Sequence, residues 1–380
     1  MITFHWFLPT SGDSRDIIGG GHGATPGVVA HRRDPTVAYL GQIAGAAEQL
    51  GFVGALTPTG ALCEDAWLST AMLCAATQRL KFLVAFRPGL YSPTLAAQMG
   101  ATFQRQSGGR LLINVVTGGE QAEQRAYGDF LDKDARYART GEFLEIVRDL
   151  WAGKRVVFEG THLAVEGASL ATPPDPIPLV YFGGSSAAAL TVAARHADVY
   201  LTWGEPLQQV AEKIRDVQVR ARAVGRSVRF GIRLHVITRD RSKDAWAEAR
   251  RLIANLDTER IAHAQAGLAT SESEGQRRMR SLHGGSTSAL EVAPNLWAGI
   301  GLVRGGAGTA LVGSHAEVAD RILEYHALGI DEFIMSGYPN LEEAYWFGEG
   351  VLPLLARVGS WRHPMDDAKS NDEVGPAAAY

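Results

Sequence analysis

Apolar runs of strand length alternate with longer amphipathic stretches over almost the whole chain. Runs at 3–8, 53–57, 80–86, 111–116, 179–182, 198–202, 229–237 and 331–336 predict strands. Helical patterns fill the intervals at 36–50, 64–77, 93–107, 134–152, 185–196, 206–224, 243–255 and 314–328, with a last helix at 341–356. Strands that alternate with helices argue for right-handed βαβ units around a parallel sheet. About eight such units match a closed, single (β/α)8 TIM barrel of the α/β class. An open doubly wound sheet is the alternative, but no Gly-x-Gly-x-x-Gly turn follows the first strand.

Three stretches exceed the basic barrel, placing insertions after strands one, four and seven. Residues 11–34 form a long loop containing Gly19-Gly20-Gly21-His22-Gly23. Residues 154–178 read as a hairpin, Val156 to Phe158 and His162 to Val165, followed by a Pro-rich connection. Residues 257–308 combine a charged helical part, 257–282, with Gly-rich segments at 284–286 and 299–308. Long insertions at the C-terminal ends of strands are where lids sit. The expected organisation is one barrel over 1–360 with a lid at about 257–308, and a loosely held polar tail over 361–380.

Composition narrows the class. The chain has 380 residues, 46% hydrophobic and 21% charged, as an ordinary soluble protein has. A net charge of −4 without a basic block gives no reason to expect nucleic acid. No run approaches the roughly 18 apolar residues a membrane span needs, and the N-terminus lacks a signal-peptide pattern. Cys63 and Cys74 are the only cysteines, which suits a reducing cytoplasm. The histidines lack ligand spacing, so no metal is expected.

The chemistry-bearing residues gather at the predicted strand ends, where a barrel builds its site. Arg233 and His235 interrupt the apolar run Arg229 to Thr238 and project to one face. A buried cation beside an imidazole calls for an anion, either a ligand or a structural carboxylate. Gly183-Gly184-Ser185-Ser186 precedes a helix, so it is a phosphate cradle or a plain glycine turn with a serine cap. Cys63 lies at a loop-to-helix boundary, as an activated or donating thiol or as filler, whereas Cys74 on an apolar helix reads as filler. Arg304 among glycines can grip an anion or be a solvated surface residue. Trp203 and Tyr338 end strands, to wall a pocket and donate a hydrogen bond or simply to pack.

Together these stretches resemble one family. Phe4 to Pro9, Pro58-Thr59-Gly60 with Cys63-Glu64-Asp65, Tyr181 to Ser186 and Tyr200 to Pro206 are similar to the flavin-dependent alkanesulfonate monooxygenases. Phe230 to Val236, Asn295 to Gly313 and Ser336 to Tyr345 carry the same resemblance, which runs from about residue 3 to residue 356. That family belongs to the bacterial-luciferase-like barrels. The resemblance implies reduced FMN, supplied by a separate NAD(P)H-dependent flavin reductase, and O2 activated on it. The products would be sulfite and an aldehyde from an organosulfonate. It further implies that Cys63 supports the oxygenated flavin, that Arg233 and Arg304 bind the sulfonate, and that His235 and Tyr338 aid proton transfer. Trp203 would line the pocket, while Asn114, Thr117, Arg136, Tyr137, Gly184, Ser185 and Ser186 would hold the flavin and its phosphate. Luciferase-like barrels associate as dimers or tetramers, so a homo-oligomer is expected.

Two departures bear on the substrate. The family has His where this chain has Ser11 and Asn340, and the loop Asp16 to Pro26 also differs. A hydroxyl and an amide in place of two imidazoles give neutral hydrogen-bonding capacity. That favours a sulfosugar, sulfoquinovose, over a short alkanesulfonate. Within the fold, an F420-dependent reductase is the other enzyme reading. A non-catalytic flavin binder would have no need of Arg233, His235 and Arg304 together, and a metal-dependent hydrolase lacks His/Asp clusters.

Overall fold

The computed structural model describes residues 1–17 and 32–366. The Gly19–Gly23 run, most of the Asp16 to Pro26 loop and the tail beyond 366 lie outside the described residues. Eight parallel strands close into a barrel in the order Thr3–Phe7, Gly54–Thr57, Lys81–Phe86, Leu111–Val115, Leu179–Gly183, Val199–Trp203, Arg229–Arg239 and Ile330–Ser336. Closure comes from the eighth strand pairing with both the first and the seventh. Each coincides with a strand predicted from the sequence to within one or two residues.

Side-chain alternation divides the barrel into two layers. Phe4 and Trp6 of the first strand with Leu8 just after it, and Phe230, Ile232, Leu234 and Val236 of the seventh, belong to the large core between sheet and helices. The intervening positions face the barrel interior, where Phe7, Leu56, Leu83, Leu112, Tyr181, Leu201 and Ile334 form a separate cluster. Within the barrel Glu332 accepts from Tyr181 Oη at 2.6 Å and pairs with His5 Nε2 at 3.0 Å and Arg229 Nη1 at 2.7 Å. Burial alone would raise this carboxyl's pKa, but those partners hold it below the usual glutamate value.

The insertion is more ordered than its composition suggests. Its charged part forms two helices, Thr258–Ala269 and Glu274–His283, capped by Asp257 and Ser273. A small hairpin, Glu291–Ala293 with Leu296–Trp297, then leads through a short 3₁₀ turn, Gly299–Leu302, to a strand at Ala310–Ser314. That strand pairs parallel to the far half of the seventh barrel strand, from Ala310 against His235 to Ser314 against Arg239. Its Ala-Leu-Val-Gly run is too short for periodicity to distinguish strand from turn, and the sequence reading passed over it. The reading also passed over the short helix Gln121–Ala126. The packed chain reaches past residue 360, because Trp361 is buried in the main core and His363 Nε2 meets Gln49 O at 3.2 Å. No helix among the described residues is long and apolar enough to cross a membrane.

Candidate active site

A cavity of about 600 Å³ opens at the C-terminal ends of the strands. The barrel supplies its floor through Phe7, Leu56, Ala85, Leu201 and Ile334. Ser11 and Cys63 line it from the first two loops, and Asn114 and Thr117 from the fourth strand end. Tyr137, Gly184 and Ser185 line another side, with Trp203 beyond them. The insertion closes the remaining wall through Thr270, Ser271, Ser273, Gln276 and the turn Arg304 to Ala307.

Arg233 and Arg304 face this cavity against one aromatic ring. Their guanidinium carbons lie 4.7 and 5.6 Å from the Phe7 centroid. Arg233 donates only to neutral oxygens: Leu234 O at 2.7 Å, Ile334 O at 3.4 Å and Ser336 Oγ at 2.8 Å. Burial, reinforced by the charge of Arg304, pushes the Arg233 guanidinium down to about 9. Arg304 donates to the Tyr338 hydroxyl. Neither cation makes an ion pair with a carboxylate of the described residues. The structural-carboxylate alternative for Arg233 therefore has no partner among the described residues.

His235 is held at both nitrogens. Its Nε2 is 3.1 Å from Ala307 O and its Nδ1 is 2.7 Å from Ser336 Oγ. A carbonyl only accepts, so Nε2 carries the proton and Nδ1 accepts from Ser336. Burial first, then Arg233 and Arg304, depress its pKa well below the usual histidine value. The ring stacks on Tyr338, centroids 5.6 Å apart.

Burial pushes the Cys63 thiol up, against the smaller opposing effects of Thr10 and Arg304. It is therefore a protonated donor and not an activated thiolate. The adjacent helix, Ala66–Leu73, takes its cap from Asp65, whose carboxylate accepts from Leu68 N at 2.9 Å.

Four residues anticipated at the site do not line the cavity. Arg136 is 1% exposed and turns to Glu272 at 2.8 Å and Leu131 O at 2.7 Å, leaving its neighbour Tyr137 to face the cavity. Ser186 spends its hydroxyl as a helix cap, accepting from Ala189 N at 3.3 Å, so the plain-cap reading describes it. Tyr338 stands behind Arg304 and His235. Asn340 is committed to the buried carboxylate of Asp13, which accepts from its backbone N at 2.8 Å and its Nδ2 at 3.2 Å. Ser336 stands in the strand-eight end Ser336 to Asn340 without a role of its own in the sequence, and Phe7, Lys213 and Gln276 carry no signal by residue type there. Strand parity alone would have found the first two, since Phe7 and Ser336 share the inward register of His5 and Arg233. Among the described residues no group of His, Cys, Asp and Glu is arranged to hold a metal ion.

The described insertion is tied to the barrel by polar contacts. Arg278 donates twice to the buried Glu205, at 2.9 and 2.7 Å, and Lys213 joins it at 2.8 Å. Glu272 N donates to Gly119 O at 2.9 Å, while within the insertion Gly306 N donates to Gln276 Oε1 at 2.8 Å.

Against known proteins, residues 2–332 match the family model described as luciferase-like monooxygenase. Among solved structures, a riboflavin lyase with modified FMN and riboflavin superposes with TM-score 0.77 at 20% identity, covering 96% of this chain and 93% of that one. A long-chain alkane monooxygenase gives TM-score 0.75 at 20% identity, covering 95% and 92%. An F420-dependent secondary alcohol dehydrogenase gives 0.67 at 17% identity, covering 93% and 98%. At these identities the likeness is one of fold.

Proposed function

Since the chain belongs to the luciferase-like monooxygenase family, we propose that it is a two-component, FMN-dependent monooxygenase that cleaves the C–S bond of an organosulfonate. The observation that carries this reading is the pair Arg233 and Arg304, two guanidiniums over the Phe7 ring with no carboxylate between them. A tetrahedral oxyanion satisfies several guanidinium donors at once, and desolvation strengthens the attraction.

The cavity suits reduced FMN. Gly184 has φ +148, and a Cβ there would stand 2.7 Å from the Ala189 Cβ and 3.2 Å from Tyr137 Oη. The turn thus keeps bare backbone beside the start of the helix Ala187–His196, where unpaired N–H groups favour a phosphate. Ser185 and Tyr137 add hydroxyls to that corner, and Leu56, Ala85, Val115 and Leu201 give an apolar wall for a flat ring. Bound there, reduced flavin would supply the electrons that activate dioxygen. Arg233 and Arg304 orient the sulfonate, the Cys63 thiol donates a hydrogen bond, and the insertion excludes water. Tyr338, bonded to Arg304, keeps its proton: burial raises its pKa against the pull of the two arginines.

Within this class a sulfosugar such as sulfoquinovose is favoured over a short alkanesulfonate. Ser11 lines the cavity and carries this preference, since the Thr270, Ser271 and Ser273 hydroxyls are taken up by Gly267 O, Gly119 O and the Gln276 N–H. Asn340 no longer supports that choice, because Asp13 occupies its amide. The test is sulfite release with an NAD(P)H-dependent FMN reductase across sugar, alkane and aryl sulfonates. Sulfite from sulfoquinovose supports both levels of the reading. Sulfite from alkanesulfonates alone overturns the sulfosugar. Oxygen-independent turnover with reduced F420, and none with FMN, overturns the whole proposal.

A further inference from the structure

We infer that Ser336 is a positioning residue that sets the tautomer of His235 and, through it, docks the Arg304-bearing turn onto the cavity. The inference rests on the proposed function for what Arg304 grips, while its geometry stands without it.

The arrangement follows from register. Strand eight sets Ile334 beside Arg233 and Ser336 beside His235, and the inserted strand sets Ala310 on the other flank of His235. Strand seven is thereby wedged between a fixed barrel strand and the chain leaving the Arg304 turn. Beside the backbone ladders, a run of side-chain hydrogen bonds crosses this wedge. Arg233 Nη2 donates to Ser336 Oγ at 2.8 Å, which uses the oxygen as an acceptor. The hydroxyl hydrogen is left for His235 Nδ1 at 2.7 Å. With Nδ1 accepting, the imidazole proton resides on Nε2 and is donated to Ala307 O at 3.1 Å. Every side chain in the run is buried, with Arg233 the most exposed at 7%. Burial favours these bonds over bonds to solvent, and the direction of each is dictated by the one before it.

His235 is thus a strut. Its Nδ1 lone pair is occupied and its Nε2 proton is given to backbone, so neither nitrogen is free for substrate. What it holds is the Ala307 end of the turn Arg304-Gly305-Gly306-Ala307, whose flanks are fastened by Arg304 N to Ile300 O at 3.2 Å and Gly301 N to Gly308 O at 2.9 Å. Gly306 sits at φ +87 with open space around it, and its N–H is donated to Gln276 Oε1 of the insertion's own helix Glu274–His283 at 2.8 Å. Without the Ser336 hydroxyl, Nδ1 has no donor and the imidazole can carry its proton there. The bare Nε2 lone pair would then face the Ala307 carbonyl, which repels it. Ser336 thereby connects Arg233, on the barrel, to the placement of Arg304, on the insertion.

Trypsin provides a direct readout, because the bond following Arg304 is a tryptic site. Ser336→Ala should be cut between Arg304 and Gly305 about tenfold faster than the native chain, reflecting release of one buried contact. Its KM for sulfonate should rise about tenfold with a smaller change in kcat, as expected for lost ground-state positioning. Ser336→Thr, which keeps the hydroxyl, should restore both. Equal cleavage rates in Ser336→Ala and the native chain overturn the inference, as does a Ser336→Thr variant that folds and does not rescue. Should Ser336→Ala not fold, ¹⁵N NMR of histidine-labelled native protein decides. An Nε2–H tautomer for His235 supports the inference and an Nδ1–H tautomer overturns it. Cleavage and tautomer need no sulfonate turnover, so a wrong substrate class would leave them readable.

Discussion

Arg233 and Arg304 come from opposite sides of the cavity, one from a barrel strand and one from the insertion, yet both rest on the ring of Phe7. Like charges this close in a buried place repel, which is why Arg304 contributes to depressing Arg233. The pair is tolerable because the ring face is electron-rich and because neutral oxygens take the Arg233 donors. An anion between them would relieve the repulsion.

Removing either cation should therefore cost sulfonate turnover and not folding. Arg304→Ala should lower kcat/KM by about tenfold to a hundredfold, the loss of a charge-assisted contact of roughly 1.5–3 kcal/mol. Arg233→Met should be equally inactive and at least as stable, because a depressed buried cation is replaced by an apolar chain of similar length. Sulfite kinetics and thermal melts check both. Native turnover in Arg304→Ala would remove it from the site.

The Cys63 thiol, raised by burial, should resist alkylation at neutral pH. Iodoacetamide labelling followed by mass spectrometry should show Cys63 reacting more slowly than a free thiol, which titrates near about 8.5. Fast labelling at neutral pH would mean a thiolate and would contradict the donor role.

His235 should contribute no limb to the pH–rate profile between about 6 and 8, since its folded pKa lies well below the usual value. A limb near about 6.5 that vanishes in His235→Gln would show the ring exchanging protons with the reaction.

Acid should loosen the insertion. His283 is buried at the end of the helix Glu274–His283, and its Nδ1 accepts from Gly285 N at 2.9 Å. Burial, then Arg280, lowers its pKa from 6.5 to about 4. A histidine depressed on folding is stabilising only while neutral. The unfolded chain takes up the proton first as pH falls below the unfolded value of 6.5, so stability is lost progressively between there and about 4. The loss should be on the order of 1–3 kcal/mol. Hydrogen exchange of 258–283 should rise over that window, and His283→Gln should flatten the rise.

Glu272→Ala should leave the Arg136 guanidinium buried with Leu131 O as its remaining acceptor. The expected cost is about 1–3 kcal/mol, together with faster exchange in the insertion, which Glu272 also fastens through its backbone to Gly119. Unchanged melting would show that the pair contributes nothing.

Much of the fold was legible because the barrel repeats one signal. Each strand is a short apolar run and each helix a longer amphipathic one, so eight independent readings agree and errors at single boundaries do not matter. The strand at Ala310–Ser314 escaped because its Ala-Leu-Val-Gly run is too short for periodicity to tell strand from turn. Placement at the cavity was legible for side chains at a strand end or the loop after it, as for Arg233, Ser185 and Cys63. It was misjudged where neighbours compete for a side chain. Arg136 was claimed by Glu272, Ser186 by its own helix and Asn340 by Asp13, partners 136, 3 and 327 residues away.

The sequence by itself determined the alternation of elements, the inward parity that sets Arg233 and His235 on one face, and the glycine turn at Gly184 before a helix. Those are local properties: propensity, periodicity and backbone freedom act over a few residues. Only the tertiary structure decided that both arginines meet at Phe7 without a carboxylate, and that His235 is occupied at both nitrogens. It also decided that Ser336 joins barrel to insertion. Hydrogen-bond direction, desolvation and charge balance depend on which distant groups arrive at the same place, and register alone brings them there.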